Sequence, residues 1–184
     1  KYGQDAETFH IVWVGHNRPR MKGLQSLLKA ISIIRTENLV VHLIGSNTRT
    51  EENLDLISKG GVSDRVVFHY PMEDPRPFVK ACDAFILPSL KGEGVNRGAL
   101  EAMSMGVTPL VSDFRGNADL VENGVSGIVF RSNDPDSISD AIMRVVKDRA
   151  MNTNLGNGAI ERIRRVLSHE ENIDKLASAF RCLF

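Results

Sequence analysis

The sequence has little cysteine, no excess of charge of either sign and no long apolar run. Its 184 residues include two cysteines, Cys82 and Cys182, in no Cys-x-x-Cys pattern, so we expect a reducing compartment rather than a disulfide framework. Lysine plus arginine number 23, as do aspartate plus glutamate, and a chain without a basic excess is not typical of nucleic-acid binders. No apolar run approaches about 18 residues and no basic-then-apolar leader opens the chain, so we expect neither a membrane-spanning helix nor secretion.

Two common nucleotide-binding motifs are also missing. Gly15 follows the first apolar run, but no second and third glycine follow at the G-x-G-x-x-G spacing, so the pyrophosphate of NAD has no close approach there. A P-loop is absent as well, which counts against an NTPase. His10, His42 and His69 lie in predicted strands without ligand spacing, so no metal site is predicted.

What the sequence does contain is a regular alternation of short apolar runs and amphipathic stretches. At roughly 150 residues per domain, the chain is long enough for one compact domain. The apolar runs are rich in β-branched residues and apolar at both parities, which predicts strands of a parallel sheet covered on both faces. The six predicted strands are residues 9–14, 39–44, 65–70, 84–87, 109–112 and 127–130.

Helical periodicity separates these runs. The clearest case is the stripe of apolar residues from Leu24 to Ile34, which follows the i, i+3, i+4, i+7 rule. Strands alternating with helices predict an α/β, doubly wound, Rossmann-like sheet of about six strands with extra C-terminal helices. The further predicted helices are residues 50–59, 76–81, 95–105, 117–122, 136–149, 159–166 and 170–184.

The first eight residues are polar and lack an initiator methionine. We interpret residues 1–8 as a linker or a cut end and residues 9–184 as the folded domain. The chain is therefore expected to be a piece of a longer protein.

Cations, glycines and capping residues follow the predicted strands. Ligands of open parallel sheets bind beyond the carboxyl ends of the strands, where loops meet helix N-termini. The residues found there predict a phosphate-bearing ligand. They include Gly15, His16, Arg18, Arg20, Lys22, Gly45, Tyr70, Arg115 and Asn117.

The stretch after the fourth predicted strand is the most informative. Residues 94–96 lead into a helix, whose free N–H groups and positive dipole end favour an anion. Glu93 precedes this terminus and Glu101 follows eight residues later, about 10 Å away along a helix axis. Carboxylates bind hydroxyls well because they accept two hydrogen bonds. A diphosphate at the terminus could thus have a sugar near one acid and a ribose near the other.

This segment resembles the signature of the retaining glycosyltransferases of family four (glycosyl transferases group 1), which have the two-domain GT-B fold. The family pattern is Pro-Ser, a short loop, Glu-Gly, and a second Glu after seven residues in a Glu-Ala-Met context. The resemblance runs from about residue 9 to the C-terminus and implies the donor-binding C-terminal domain, with the acceptor-binding N-terminal half absent. The matching residues are Pro88-Ser89, Glu93-Gly94 and Glu101-Ala102-Met103, then Gly106, Pro109 and Arg115-Gly116-Asn117.

The resemblance also implies roles for single residues. Glu93 would contact hydroxyls of the donor sugar near the reacting carbon, and Glu101 would bind the ribose. Backbone amides would hold the diphosphate, and Gly15 would line the donor site. These amides are those of Gly94, Val95, Asn96 and Arg97.

The family uses an Arg, four residues and then a Lys after the first strand, both on the diphosphate. Lys22 fits the Lys, and with Glu93 it is assigned to catalysis. The Arg position holds Asn17 and the loop is one residue longer, so Arg18 and Arg20 are the candidates to replace the Arg. The base is expected near Tyr70.

The implied function is transfer of a sugar from a nucleoside-diphosphate sugar to an acceptor with retention, in cell-surface polysaccharide or glycolipid assembly. The acceptor would be a saccharide or a lipid-linked saccharide, and neither a metal nor another cofactor is expected. The alternatives are a non-catalytic nucleotide-binding module and a sugar-nucleotide epimerase of the same architecture. We expect a cytoplasmic location, peripheral to the inner membrane face only through the missing domain, and little or no activity from this domain alone.

Overall fold

The computed structural model describes residues 7–16, 21–36, 38–90, 94, 96–114 and 116–166. Every predicted strand is present within a residue or two of its expected bounds. The strands are β1 (Phe9–Val14), β2 (Leu39–Ile44), β3 (Val66–His69), β4 (Ala84–Leu87), β5 (Thr108–Ser112) and β6 (Ile128–Phe130). They form one sheet in the order β3-β2-β1-β4-β5-β6, with every neighbouring pair parallel. The predicted doubly wound α/β fold is confirmed.

The helices that connect the strands also follow the prediction, with one exception near the C-terminus. They are α1 (Leu24–Ile33), α2 (Glu51–Gly60), α3 (Arg76–Ala81), α4 (Arg97–Ser104), a 3-10 turn (Ala118–Leu120), α5 (Pro135–Lys147) and α6 (Arg149–Val166). The prediction that a helix begins near residue 159 is wrong, because α6 is continuous from Arg149. The last predicted helix, residues 170–184, lies outside the described residues.

Two hydrophobic layers cover the sheet, one on each face. Alternate residues of β1 point to opposite faces: Ile11 and Trp13 pack under α1 and α5, whereas Val12 packs on the side of α3 and α4. All three are fully buried. Burying a side chain of this size stabilises the fold by about 1.5–3 kcal/mol. This two-sided burial is the reason for the continuous apolar runs of the strands.

The loops at the carboxyl ends of the strands pack backbone against backbone. Gly23 has a left-handed conformation (φ 64°), and a Cβ there would lie 1.8 Å from the carbonyl oxygen of Pro88. A Cβ on Gly45 would lie 1.6 Å from the carbonyl oxygen of Gly15. Only glycine permits such approaches, so these two residues bring the loops after β1, β2 and β4 together at one edge.

The part of the chain that the structure describes contains no helix long and apolar enough to cross a membrane. Among the same residues, no group of three or more His, Cys, Asp or Glu side chains could hold a metal ion. Cys82 is buried, and burial raises the pKa of its thiol to about 12. The thiol of Cys82 therefore behaves as a core side chain rather than as a nucleophile.

Candidate functional site

A depression of about 490 Å³ opens at the carboxyl edge of the sheet, between the end of β1, the segment before α3 and the start of α4. It contains five of the residues predicted to bind a donor, together with an ion pair, Asp74 and Arg76, that was not predicted. We call it the α4 depression. The predicted residues that line it are Gly15, Lys22, Asn96, Arg97 and Glu101.

The N-terminus of α4 faces this depression with a complete cap. Asn96 has an extended backbone and its side-chain oxygen accepts a hydrogen bond from the Ala99 N–H at 3.0 Å. The helix therefore begins at Arg97 rather than at residue 95. Asn96 is its N-cap, and the Asn96 side chain accepts a hydrogen bond from an N–H of the first turn that has no backbone partner within the helix. Gly94, two residues before the cap, is exposed.

Four of the predicted site residues lie outside the described residues. They are Arg18, Arg20, Glu93 and Val95. Their assignments stay predictions from the resemblance, and so does the choice between the two arginines.

Glu101 lies one turn into α4 and faces guanidinium groups from two directions. Its Oε1 is 3.7 Å from Nε of Arg97, and its charge contributes to the raised pKa of Arg76. Since the Glu101 side chain is about one-third exposed, its oxygens are accessible to a ligand from the depression. Carboxylate oxygens are good acceptors for hydroxyl groups.

Arg76 and Asp74 form the wall opposite Glu101. The Arg76 guanidinium donates two hydrogen bonds to the Asp74 carboxylate, at 2.7 and 3.0 Å, and the Arg76 N–H donates a third at 3.1 Å. These bonds lower the pKa of Asp74 and raise the pKa of Arg76. The pair was not predicted from the sequence, because this proline-rich stretch matches no motif. Its one signal was its place after the third predicted strand, at the edge where the other site residues lie.

Tyr70 does not line the α4 depression. It is 90% exposed and borders a second depression of about 310 Å³, where β2 and β3 end. A third, of about 190 Å³, lies between the two, since it shares Gly15 with the first and Ser46 with the second. The structure thus separates Tyr70 from the predicted diphosphate-binding residues by this bridging depression.

His16 borders the bridging depression, and its ring is held at both nitrogens. Its Nδ1 lies 2.5 Å from Oγ of Ser46, and its Nε2 lies 3.4 Å from Nδ2 of Asn47. The imidazole is therefore oriented before any ligand arrives.

A column of three histidines, His10, His42 and His69, crosses the sheet below this edge. His42 Nε2 lies 3.0 Å from Nδ1 of His10, and His42 Nδ1 lies 3.0 Å from Nε2 of His69. The ring of Phe78 packs edge-on against the last two. Burial, followed by the neighbouring His10 and His69, lowers the pKa of His42 to about 4. His42, at the centre of the column, is therefore neutral near pH 7.

The chain matches known proteins along most of its length. A family model described as "Glycosyl transferases group 1" matches residues 8–148. The lipopolysaccharide core biosynthesis glycosyltransferase LpsE of Rhizobium meliloti (strain 1021) is 29% identical over 154 residues, which are 83% of this chain and 44% of LpsE. The chain spans less than half the length of the curated relatives it matches.

Solved structures match the fold. Anabaena Alr3699/HepE in complex with UDP superposes with a TM-score of 0.83 at 21% identity, over 94% of this chain and 50% of that one. The C-terminal domain of the glycosyl transferase group 1 family protein LpcC from Francisella tularensis gives a TM-score of 0.75 at 17% identity, covering 85% of both chains. The fold is thus that of the C-terminal domain of a GT-B enzyme. With a family model matching more than half of its length, the chain belongs to the glycosyl transferases group 1 family.

Proposed function

We propose that this chain is the donor-binding domain of a glycosyltransferase that transfers a sugar from a nucleoside-diphosphate sugar with retention of configuration. The observation that carries the proposal is the α4 depression, which Lys22, the start of α4 and Glu101 line together. A cation, the N-terminal end of a helix and a carboxylate are the groups that a diphosphate joined to a ribose requires.

The diphosphate is assigned to Lys22 and the N-terminus of α4. Breaking the bond from the anomeric carbon to the diphosphate leaves negative charge on the departing phosphate. Fixed positive potential at that point lowers the barrier, and oriented groups supply it without reorganisation. The ammonium of Lys22 and the dipole of α4 are such groups, so we expect the step to need no metal ion.

The ribose is assigned to Glu101. Its carboxylate is accessible from the depression and pairs with Arg97 at a distance of 3.7 Å, which is longer than a strong hydrogen bond. Ribose hydroxyls would therefore compete with a weak contact. Glu93 is assigned, by the resemblance, to the hydroxyls of the transferred sugar.

The base is assigned to the neighbourhood of Tyr70. The bridging depression connects this region to the α4 depression through Gly15 and Ser46. The exposed ring of Tyr70 offers a face for stacking. HepE has been solved with UDP, which makes a uridine nucleotide the first candidate to test.

The whole protein is proposed to act in cell-surface polysaccharide or glycolipid assembly, since LpsE is a lipopolysaccharide core biosynthesis glycosyltransferase. The acceptor, a saccharide or a lipid-linked saccharide, would bind to the half that this chain lacks. That half would also exclude water from the reacting carbon. The domain by itself should therefore bind donor and transfer little.

Calorimetry with UDP, GDP and ADP tests the assignment. Lys22→Ala and Glu101→Ala should each weaken the binding of the preferred nucleotide by about tenfold, because each removes a charge-assisted contact. Lys147→Ala and Glu161→Ala, which remove the same charges from exposed positions on α5 and α6, are the matched controls and should bind like the wild type. Unchanged affinity in both site variants would refute the site.

A further inference from the structure

A buried chain of hydrogen bonds connects the end of β5 to the turn after β4. Ser112, the last residue of β5, donates its hydroxyl to the carbonyl oxygen of Ser89 at 2.7 Å. Nδ2 of Asn117 donates to Oγ of Ser112 at 3.4 Å. Ser89, Ser112 and Asn117 are each fully buried. We call these three residues the serine–asparagine relay.

The same turn is held from its other side by the loop that carries Lys22. The N–H of Leu90 donates to the carbonyl oxygen of Met21 at 2.6 Å, and Gly23 packs directly against the carbonyl of Pro88. The turn after β4 is therefore fixed between the relay and the residues on either side of Lys22. A displacement of the turn would move the backbone of Lys22 as well.

Helix α6 anchors the far end of the relay. Arg162 donates from Nε to the carbonyl oxygen of Leu120 at 3.1 Å and from its NH2 group to that of Asp119 at 2.9 Å. Asn117 immediately precedes this 3-10 turn, and its own N–H donates to the carbonyl oxygen of Phe114 at 3.0 Å. The connection thus extends from α6, through the relay, to the α4 depression.

The hydrogen bonds of the relay are buried and therefore also contribute to stability. Asn117 shares one further feature with Asn152, which lies away from the α4 depression: the Oδ1 of each is buried and has no hydrogen-bond partner among the described residues. A test of the relay must therefore separate nucleotide affinity from stability.

We propose that Ser112 and Asn117 are positioning residues for the donor diphosphate. Both are fully buried, and they act by fixing the turn after β4 and, through it, Lys22. Charge-assisted hydrogen bonds to a phosphate need the donor within a few tenths of an ångström, so a small displacement weakens binding. This inference rests on the proposed function, because it requires that a nucleoside diphosphate binds in the α4 depression.

The test measures UDP affinity and stability in the same variants. Ser112→Ala and Asn117→Ala should each raise the Kd for UDP by about five- to tenfold. The double variant should lose no more than the larger single loss, because the two residues act as one unit. Asn117→Leu fills the same space without hydrogen bonds. The Asn117→Leu variant should have a urea midpoint equal to or above that of the wild type and should still bind UDP more weakly.

The opposite end of β5 supplies the matched control. Thr108 is buried and donates its hydroxyl to the carbonyl oxygen of Asn152 at 2.8 Å, and Nδ2 of Asn152 donates to the carbonyl oxygen of Asp83 at 3.1 Å. Thr108→Val and Asn152→Ala should lower stability as much as the relay variants and leave UDP affinity unchanged.

Each other outcome counts against the inference. Relay variants that bind UDP like the wild type would overturn the positioning role and leave the proposed function intact. Control variants that lose as much UDP affinity as the relay variants would show that affinity simply follows stability, which also overturns it. A wild-type chain with no affinity for UDP, GDP or ADP would overturn the proposed function and the positioning role together.

Discussion

The protonation of His42 is strongly set by its surroundings. The residue is 3% exposed, lies between His10 and His69, and has a pKa lowered from 6.5 to about 4, first by burial. Burial also lowers the pKa of His69. The unfolded chain therefore binds protons at these histidines more readily than the folded chain does. The stability that their neutral forms contribute is fully present above about pH 6.5 and is lost as the pH falls toward 4.

Urea unfolding at about pH 7 and about pH 4.5 measures this loss. At roughly 1.4 kcal/mol per pKa unit, His42 contributes at most about 3 kcal/mol to the difference in the free energy of unfolding. His42→Gln removes the titrating group, so the advantage of the wild type over this variant should shrink at the lower pH. An equal difference at both pH values would show that His42 does not titrate as described.

Position after a strand was the sequence signal for several residues that the structure brings together. Lys22, Asn96 and Glu101 were predicted from their places in loops and on α4, and all three line one depression. Arg76 and Asp74 were not predicted because the proline-rich stretch that contains them matches no motif. Tyr70 follows the expected strand but borders a different depression. The conformations of the loops determine how the carboxyl edge of the sheet is divided into separate depressions, and the sequence does not give those conformations.

At the scale of elements, α6 shows most clearly what a local pattern cannot reveal. A helix was predicted from residue 159, and Gly156 and Gly158, which precede that position, are poor helix formers. In the structure, both are interior helical positions that touch other backbone. A Cβ on Gly156 would lie 2.3 Å from the carbonyl oxygen of Gly106, and one on Gly158 would lie 2.1 Å from that of Val125. The two glycines allow α6 to pack closely against the backbone of Gly106 and Val125. Because these contacts are with residues distant in sequence, a local pattern does not reveal them.

Alanine at these positions should therefore destabilise the fold, although alanine is the better helix former. Helix propensity alone predicts a gain of about 1 kcal/mol for Gly156→Ala, whereas the clash with backbone predicts a loss of about 1–3 kcal/mol. Asn157→Ala, at the exposed position between them, is the control and should change the free energy of unfolding by less than about 0.5 kcal/mol. Urea unfolding of Gly156→Ala distinguishes the gain expected from helix propensity from the loss expected from the clash. A Gly156→Ala chain more stable than the wild type would contradict the close packing.

The strands were predictable because two-sided burial makes their apolar runs continuous and short. Trp13 and Val12 pack on opposite faces of the sheet, so neither parity of β1 can be polar. The bounds of β3, β5 and β6 differ from prediction by one residue at one or both ends, because the pairing of the end residues depends on the neighbouring strand rather than on their own side chains.

At the scale of the whole molecule, the strand order explains where the site lies. The order β3-β2-β1-β4-β5-β6 runs one way from β1 and the other way from β4, so the connections of these two adjacent strands leave to opposite sides. A crevice forms at such a reversal, and ligands of doubly wound sheets bind there. The α4 depression, with Lys22 after β1 and α4 after β4, lies at this point. The sequence predicted parallel strands but carried no information on their order.

The central claim is that the diphosphate of a nucleotide rests on the start of α4 beside Lys22. A crystal structure of this chain with UDP tests it most directly. We predict phosphate oxygens about 3 Å from the first backbone N–H groups of α4 and from Nζ of Lys22, with the ribose hydroxyls on Glu101. UDP bound away from the α4 depression, or bound there without contact to Lys22 and Glu101, would contradict the account.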